Sequence, residues 1–237
     1  MHSGPATKSE IEAANARMFA DSWISASPPE FRHALLARCQ WRRHEAGAIL
    51  SHIGTEQSTV YGLASGTMAF ATPHAGAELR LSHIMHSGDW VGVGPALTGR
   101  QRTGQISVRA PSLVAHLSAS AIDAIVAIEP SWWREFGRLG VIYGDIASII
   151  VGDLMIADNR QRCAATLLRL AGIRHRNRDD LPAVVQVGQD ELGAIANLSR
   201  NSVNRILGFL EARDLVRVGY RTITLPDPAA LRRLIDS

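Results

Sequence analysis

The chain has 237 residues, 46% of them hydrophobic and 20% charged, which is material for packed cores and excludes wholesale disorder. No run approaches the roughly 18–20 apolar residues of a membrane helix, the first residues lack the apolar core of a signal peptide, and two cysteines (Cys39 and Cys163) are too few for a disulfide framework or a multi-cysteine metal centre. The net charge of +3 hides an asymmetry: residues 1–158 carry 12 Lys and Arg against 14 acids, whereas residues 159–237 carry 13 Arg against 8 acids, a balance suited to a phosphate-rich partner.

Residues 1–28 read as a weakly structured or helical lead ending at Ser27-Pro28-Pro29, followed by a short helical pattern over 31–38. From Trp41 to about Ala119, glycines punctuate short apolar runs such as AILSHI, TVYGLASGTMAFA and LVAHLSA. That texture predicts a compact antiparallel sandwich or barrel, and the lack of βαβ alternation argues against a Rossmann sheet. Helical texture resumes near Ser120 and is interrupted at Pro130.

A long segment from about Trp132 to Ala157 contains no proline. Leu139, Ile142, Ile146, Ile149 and Ile156 follow a 3-4 spacing, with Asp153 in the one polar slot, which is a coiled-coil seam. A second stripe runs through Phe136, Gly140, Tyr143, Ala147, Ile150 and Leu154. A helix apolar on two stripes needs two partners. The expected ones are its own β-domain and the same helix of a second subunit; burial of both stripes inside one domain is the alternative. Gly137, Gly140, Gly144 and Gly152 each weaken such a helix by about 1 kcal/mol relative to Ala.

After Asp158, RQRCAATLLRLAG predicts a helix stopped at Gly172, then a polar loop, then a short strand in VVQV. The segment QDELGAIANLSRNSVNRILGFL (189–210) is the most specific part of the chain. Leu192, Ile195 and Ala196 give one short helix an apolar face, and Val203, Ile206, Leu207 and Leu210 give a second helix another. Between them, Asn197 tolerates the positive φ that a tight corner needs. Gly193 permits close approach, and Ser199 is a good N-cap. The polar face of the second helix then carries Ser199, Arg200, Asn201, Asn204 and Arg205. These are the positions that meet DNA when a recognition helix enters the major groove, where Arg pairs with guanine and Asn with adenine. LVRV and TITL around Gly219-Tyr220-Arg221 predict a hairpin wing, with Arg221 as a phosphate contact, and Asp227-Pro228 opens a last helix.

ELGAIANLSRNSVNRILGFLEARDLV and ITLPDPAALRRL resemble the C-terminal domain of the cyclic-AMP receptor protein/fumarate-nitrate regulator (Crp/Fnr) family. AGAILSHIG, VYGLASGTMAFA, GDWVG and SVRAPS resemble that family's β-roll, and the resemblance covers about residues 30–235. It implies an α+β fold with an N-terminal double-stranded β-helix (a cyclic-nucleotide-binding-like β-roll), a long dimerisation helix and a C-terminal winged helix-turn-helix. The expected boundaries are an N-terminal lead over 1–29, the β-roll sensor over 30–130, the dimerisation helix over 131–158 and the DNA-binding domain over 159–237. The resemblance also implies a homodimer on double-stranded DNA of pseudo-palindromic sequence, and RNA polymerase as a further partner. A cytoplasmic regulator that is not an enzyme, with no catalytic residues and no membrane partner, is the resulting expectation; HExxH, GxSxG and metal-spaced Cys/His sets do not occur. Asn201 departs from the Glu that many members carry, which alters the expected base preference.

The effector end is less legible. Members that bind cyclic AMP carry a Glu shortly after GD-aromatic-aliphatic-G and an Arg-Ser/Thr pair for the cyclic phosphate. Here Val93 follows GDWVG, and the candidates for the pair are Arg102 and Thr103, which are otherwise plain loop residues. Cyclic AMP is therefore not expected to be the activator, and no cofactor is identified. Gly94–Gly99 mimics the start of a P-loop, but Arg100 and Gln101 stand where Lys and Ser/Thr are required. His83 and His86 invite a metal or haem reading; on a strand they face opposite sides, so no metal site is expected.

Overall fold

The computed structural model describes residues 4–20, 22–56, 58–74, 78–176 and 182–235. It divides into two compact units: residues 1–79 with 85–143, and residues 80–84 with 144–237. The fold is α+β, with a β-roll, a long helix and a helix-turn-helix.

The first unit opens with helix α1 (Lys8–Ala20), where sequence reading allowed a weakly structured lead, and α2 (Pro29–Ala37). Strands β1 (Gln40–His44), β2 (Ile49–Ser51) and β3 (Val60–Pro73) follow, then β4 (Leu79–Met85), whose middle residues 80–84 group with the second unit. β5 (Trp90–Val91), α3 (Val93–Thr98), β6 (Gln105–Leu117) and α4 (Ala119–Val126) complete the roll. β6 is its spine, antiparallel to β1, β2 and β3, while β5 pairs with β3. The predicted P-loop mimic lies within α3, so it is helix and not a phosphate loop.

Two apolar clusters fill this unit. One gathers Met18, Phe31, Leu35, Trp90, Val93 and Phe136, and the other Leu63, Met68, Ile106 and Val114. Met18 is fully buried, because α1 lays an apolar edge into the first cluster. Full burial of one such side chain contributes on the order of 1.5–3 kcal/mol.

The long helix α5 (Trp133–Met155) begins in the first unit, where Phe136 and Leu139 join the core and the Tyr143 hydroxyl donates to the Trp90 carbonyl. The second unit holds the rest of α5, then α6 (Asn159–Leu170), α7 (Ile173–Arg176), β7 (Ala183–Val185), α8 (Gln189–Ala196), α9 (Arg200–Glu211), β8 (Arg217–Gly219), β9 (Thr222–Leu225) and α10 (Pro228–Ile235). Asp158 caps α6 by accepting from the Arg160 and Gln161 N–H groups at 2.8 and 3.0 Å. Leu167, Leu192, Val203, Leu207, Leu210 and Leu231 form one core. The VVQV strand is β7, and it pairs with β9 to extend the wing into a three-stranded sheet ordered β7-β9-β8.

Candidate nucleic-acid interface

The corner between α8 and α9 is built as its sequence requires. Asn197 takes φ 51° and ψ 52°, and the Leu198 N–H donates to the Gly193 carbonyl at 2.8 Å. A Cβ on Gly193 would stand 2.8 Å from the Leu198 oxygen, so only glycine lets the two helices approach this closely. Ser199 caps α9 by accepting from the Ser202 N–H at 3.2 Å. Val203, Ile206, Leu207 and Leu210 face inward, leaving Ser199, Arg200, Asn201, Asn204 and Arg205 together on the exposed face.

The wing turns at Tyr220-Arg221. Arg221 holds φ 51°, and Tyr220 is 92% exposed. Glu211 near the end of α9 accepts from the Val218 N–H at 2.9 Å, which fixes the wing against α9. The acidic first turn of α8 meets both outer arginines: Arg200 lies 3.4 Å from Asp190 and Arg221 3.9 Å from Glu191. All four groups remain solvated to some degree, so these pairs hold little energy and yield readily to phosphate. Sequence reading missed a further cationic cluster: Arg160 and Arg213 lie over the Phe209 ring at 4.1 and 3.6 Å from its centroid. Their separation along the chain, 160 against 209–213, hid it.

The predicted coiled-coil seam is only partly available. Leu139 and Ile146 are 2% and 6% exposed in the single chain, so both are already packed within it. Asp153 is buried with them. It accepts from Arg169 Nε at 2.9 Å and pairs with Arg174 at 3.0 Å. Ile142, Ile149 and Ile156 are half-buried. The large apolar side chains left exposed on α5 are Trp133, Val141, Val151, Leu154 and Met155.

The candidate effector pair is not brought together. Arg102 is 5% exposed, its Nη2 donates to the Thr59 carbonyl, and its guanidinium lies 5.4 Å from the centre of the Tyr61 ring. Burial lowers the Arg102 pKa, against the opposing effect of Tyr61. Gly92 has φ +97°, and a Cβ there would stand 2.5 Å from Arg102 Nη1. Thr103 faces solvent instead. Val93 is buried in the core. His83 is buried on β4, and His86 lies past its end, where its N–H donates to Asp89 at 2.7 Å. Among the described residues no three His, Cys, Asp or Glu gather as a metal site, and no helix is long and apolar enough to cross a membrane.

Comparison with known proteins agrees with this geometry. Residues 161–234 match the family model of the Crp-like helix-turn-helix domain. The cAMP-activated global transcriptional regulator CRP of Salmonella typhimurium is 26% identical over 192 residues, covering 80% of this chain and 91% of that protein. The cyclic AMP receptor protein of Thermus thermophilus is 24% identical over 87% of this chain and 93% of its own. Among solved structures, FixK2 of Bradyrhizobium japonicum shares the fold with a TM-score of 0.69 at 15% identity, over 83% of this chain and 96% of that one. A CRP-family transcriptional regulator of Thermus thermophilus does so with a TM-score of 0.64 at 22% identity, over 82% and 96%. Residues 161–234 are thus a Crp-like helix-turn-helix domain, and the chain over most of its length is similar to transcription regulators of the CRP type and shares their fold.

Proposed function

We propose that the protein is a homodimeric, sequence-specific DNA-binding regulator that acts without cyclic AMP. The carrying observation is the exposed N-terminal part of α9 and its cap, where Ser199, Arg200, Asn201, Asn204 and Arg205 are all open to solvent. In this reading Arg205 and Asn201 reach base edges, while Arg221 on the wing holds phosphate. The relatives being transcription regulators supports a regulator over an enzyme. RNA polymerase as a partner and a cytoplasmic location follow from the same reading.

A helix turns about 100° per residue, so Val141, Gly144, Ser148, Val151 and Met155 lie along one outward stripe of α5 with 3-4 spacing. Every one of them is exposed. Gly144 and Ser148 are small enough for two copies of α5 to approach closely, with Ile142 and Ile149 flanking. A charged residue there leaves the fold intact and removes the dimer.

The β-roll is then the sensor, for a signal other than the one its relatives are named for. Cyclic AMP needs an anion site and a polar partner for its ribose. Arg102 already serves the Thr59 carbonyl, and Val93 serves the core. The residues present do not fit that ligand. Selection of bound duplexes from a random pool tests the DNA reading: a two-fold symmetric consensus supports it, and recovery of no consensus overturns it.

A further inference from the structure

Two imidazoles meet end to end on the β-roll. His44 closes β1 and His116 lies next to the last residue of β6, 72 residues away. The antiparallel register of β1 and β6 sets Gln40 opposite His116 and His44 opposite Ser112, so the two rings reach toward each other along one face. Their Nε2 atoms are 2.9 Å apart, their centroids 5.1 Å, and their planes differ by 22°. The centroids are farther apart than the nitrogens by about two ring radii, so the rings touch tip to tip instead of lying face to face.

Such a contact holds one proton. One Nε2 donates and the other accepts, each ring keeping or yielding its Nδ1 proton accordingly. A second proton would set two N–H groups against each other. The pair is also connected inward. The His116 ring stands edge-on to Tyr61, at 5.0 Å and 83°. The Tyr61 hydroxyl donates to the Leu50 carbonyl at 2.8 Å, and its ring carries the Arg102 guanidinium. Arg102 in turn packs against Gly92 and bonds Thr59.

We propose that His44 and His116 form a proton-responsive contact of the β-roll, closed while the pair shares one proton and opened by a second, with the change passed through Tyr61 to Arg102. This inference concerns the β-roll alone and stands apart from the DNA-binding reading. The groups facing the pair favour its neutral form. Arg42 on β1 disfavours charge on both rings, Tyr61 on β3 is uncharged at neutral pH, and Arg102 lies beyond it. His44 also borders a groove with Glu10, Arg17, Arg43 and Glu45; Glu10 is committed to Arg43. Burial, then Arg42, lowers the pKa of His44; burial, then His44 and Arg42, brings His116 down to about 3. Both shifts run downward from the roughly 6.5 of a free imidazole. The contact is therefore fully stabilising above about pH 6.5 and loses that stabilisation as the pH falls toward the folded values.

The test is a titration of the full chain, followed through its imidazole nitrogens by long-range proton–nitrogen NMR, with the Tyr61 and Arg102 side chains observed in the same samples. The expected result is one coupled transition for His44 and His116, with a midpoint below the roughly 6.5 of a free imidazole. The Tyr61 and Arg102 signals move with it. In His44→Gln the coupled step disappears while His116 still titrates. Independent titrations near 6.5, or Tyr61 and Arg102 signals unmoved through the transition, would overturn the proposal, and the wild-type titration decides even where the variant does not fold. Joint displacement of both imidazoles by zinc chloride at neutral pH, with no coupled step on acidification, would also overturn it and point to metal ligation.

Discussion

Arg169 donates through Nε to Asp153 across 2.9 Å, with both side chains 1% exposed, and Arg174 pairs with the other carboxylate oxygen. Arg169 also donates to the Ser82 carbonyl at 3.2 Å. One ion cluster thus ties the end of α5 to α6, α7 and the middle of β4. Removing one partner leaves an uncompensated buried charge. Asp153→Ala is expected to destabilise the second unit by about 3–5 kcal/mol, read from chemical denaturation. Asp153→Leu combined with Arg169→Leu is expected to lose less than either single change, because the remaining Arg174 is 30% exposed and can turn to solvent. Equal or additive losses would show that the cluster is not a unit.

The seam on α5 separates two kinds of failure. Val151→Lys and Ser148→Lys place charge on the exposed stripe. They are expected to give folded monomers in sedimentation. Ile146→Lys places the charge at a site only 6% exposed, and is expected to unfold or aggregate the chain. A Val151→Lys protein that stays dimeric would remove this stripe from the interface.

This division was only half legible in the sequence. Both apolar stripes of α5 contribute to the chain's own packing, through Leu139 and Ile146 on one and Phe136 on the other, and the stripe exposed along its length, through Val141 and Val151, is a third. The exposed stripe contains Gly144 and Ser148, whose small size hides it from a hydrophobic pattern. Asp153 looked like a polar interruption because its partners, Arg169 and Arg174, come from helices that periodicity reads separately. By contrast the helix-turn-helix was legible nearly residue by residue. Its determinants are local: a positive φ at Asn197, a cap at Ser199 and a close approach at Gly193 all follow from neighbours in sequence. Arg102 and Thr103, adjacent in sequence, are legible only as a candidate pair or as plain loop residues; the fold reveals that one is buried and the other exposed. The His44–His116 contact was not legible at all, since strand register creates it.

Calorimetry with cyclic AMP is expected to show no micromolar binding. A buried ribose hydroxyl without a partner costs roughly 1–3 kcal/mol, and each 1.4 kcal/mol is tenfold in affinity. Freeing Arg102 from Thr59 adds to that loss. Micromolar binding together with a rise in operator affinity would show that Arg102 leaves Thr59 for the nucleotide and that the roll rebuilds a phosphate site.

The central reading is that α9 reads sequence and the wing holds backbone. Its most direct measurement is the affinity of wild type, Arg205→Ala and Arg221→Ala for a selected palindromic duplex and a random duplex, across a range of salt. Wild type is expected to prefer the selected duplex by about a thousandfold or more. Arg205→Ala is expected to lose about 1–3 kcal/mol on the selected duplex and little on the random one. Arg221→Ala is expected to weaken both alike and to lower the salt dependence. Equal affinity of the wild-type protein for both duplexes, or the same loss from both substitutions on both, would contradict it.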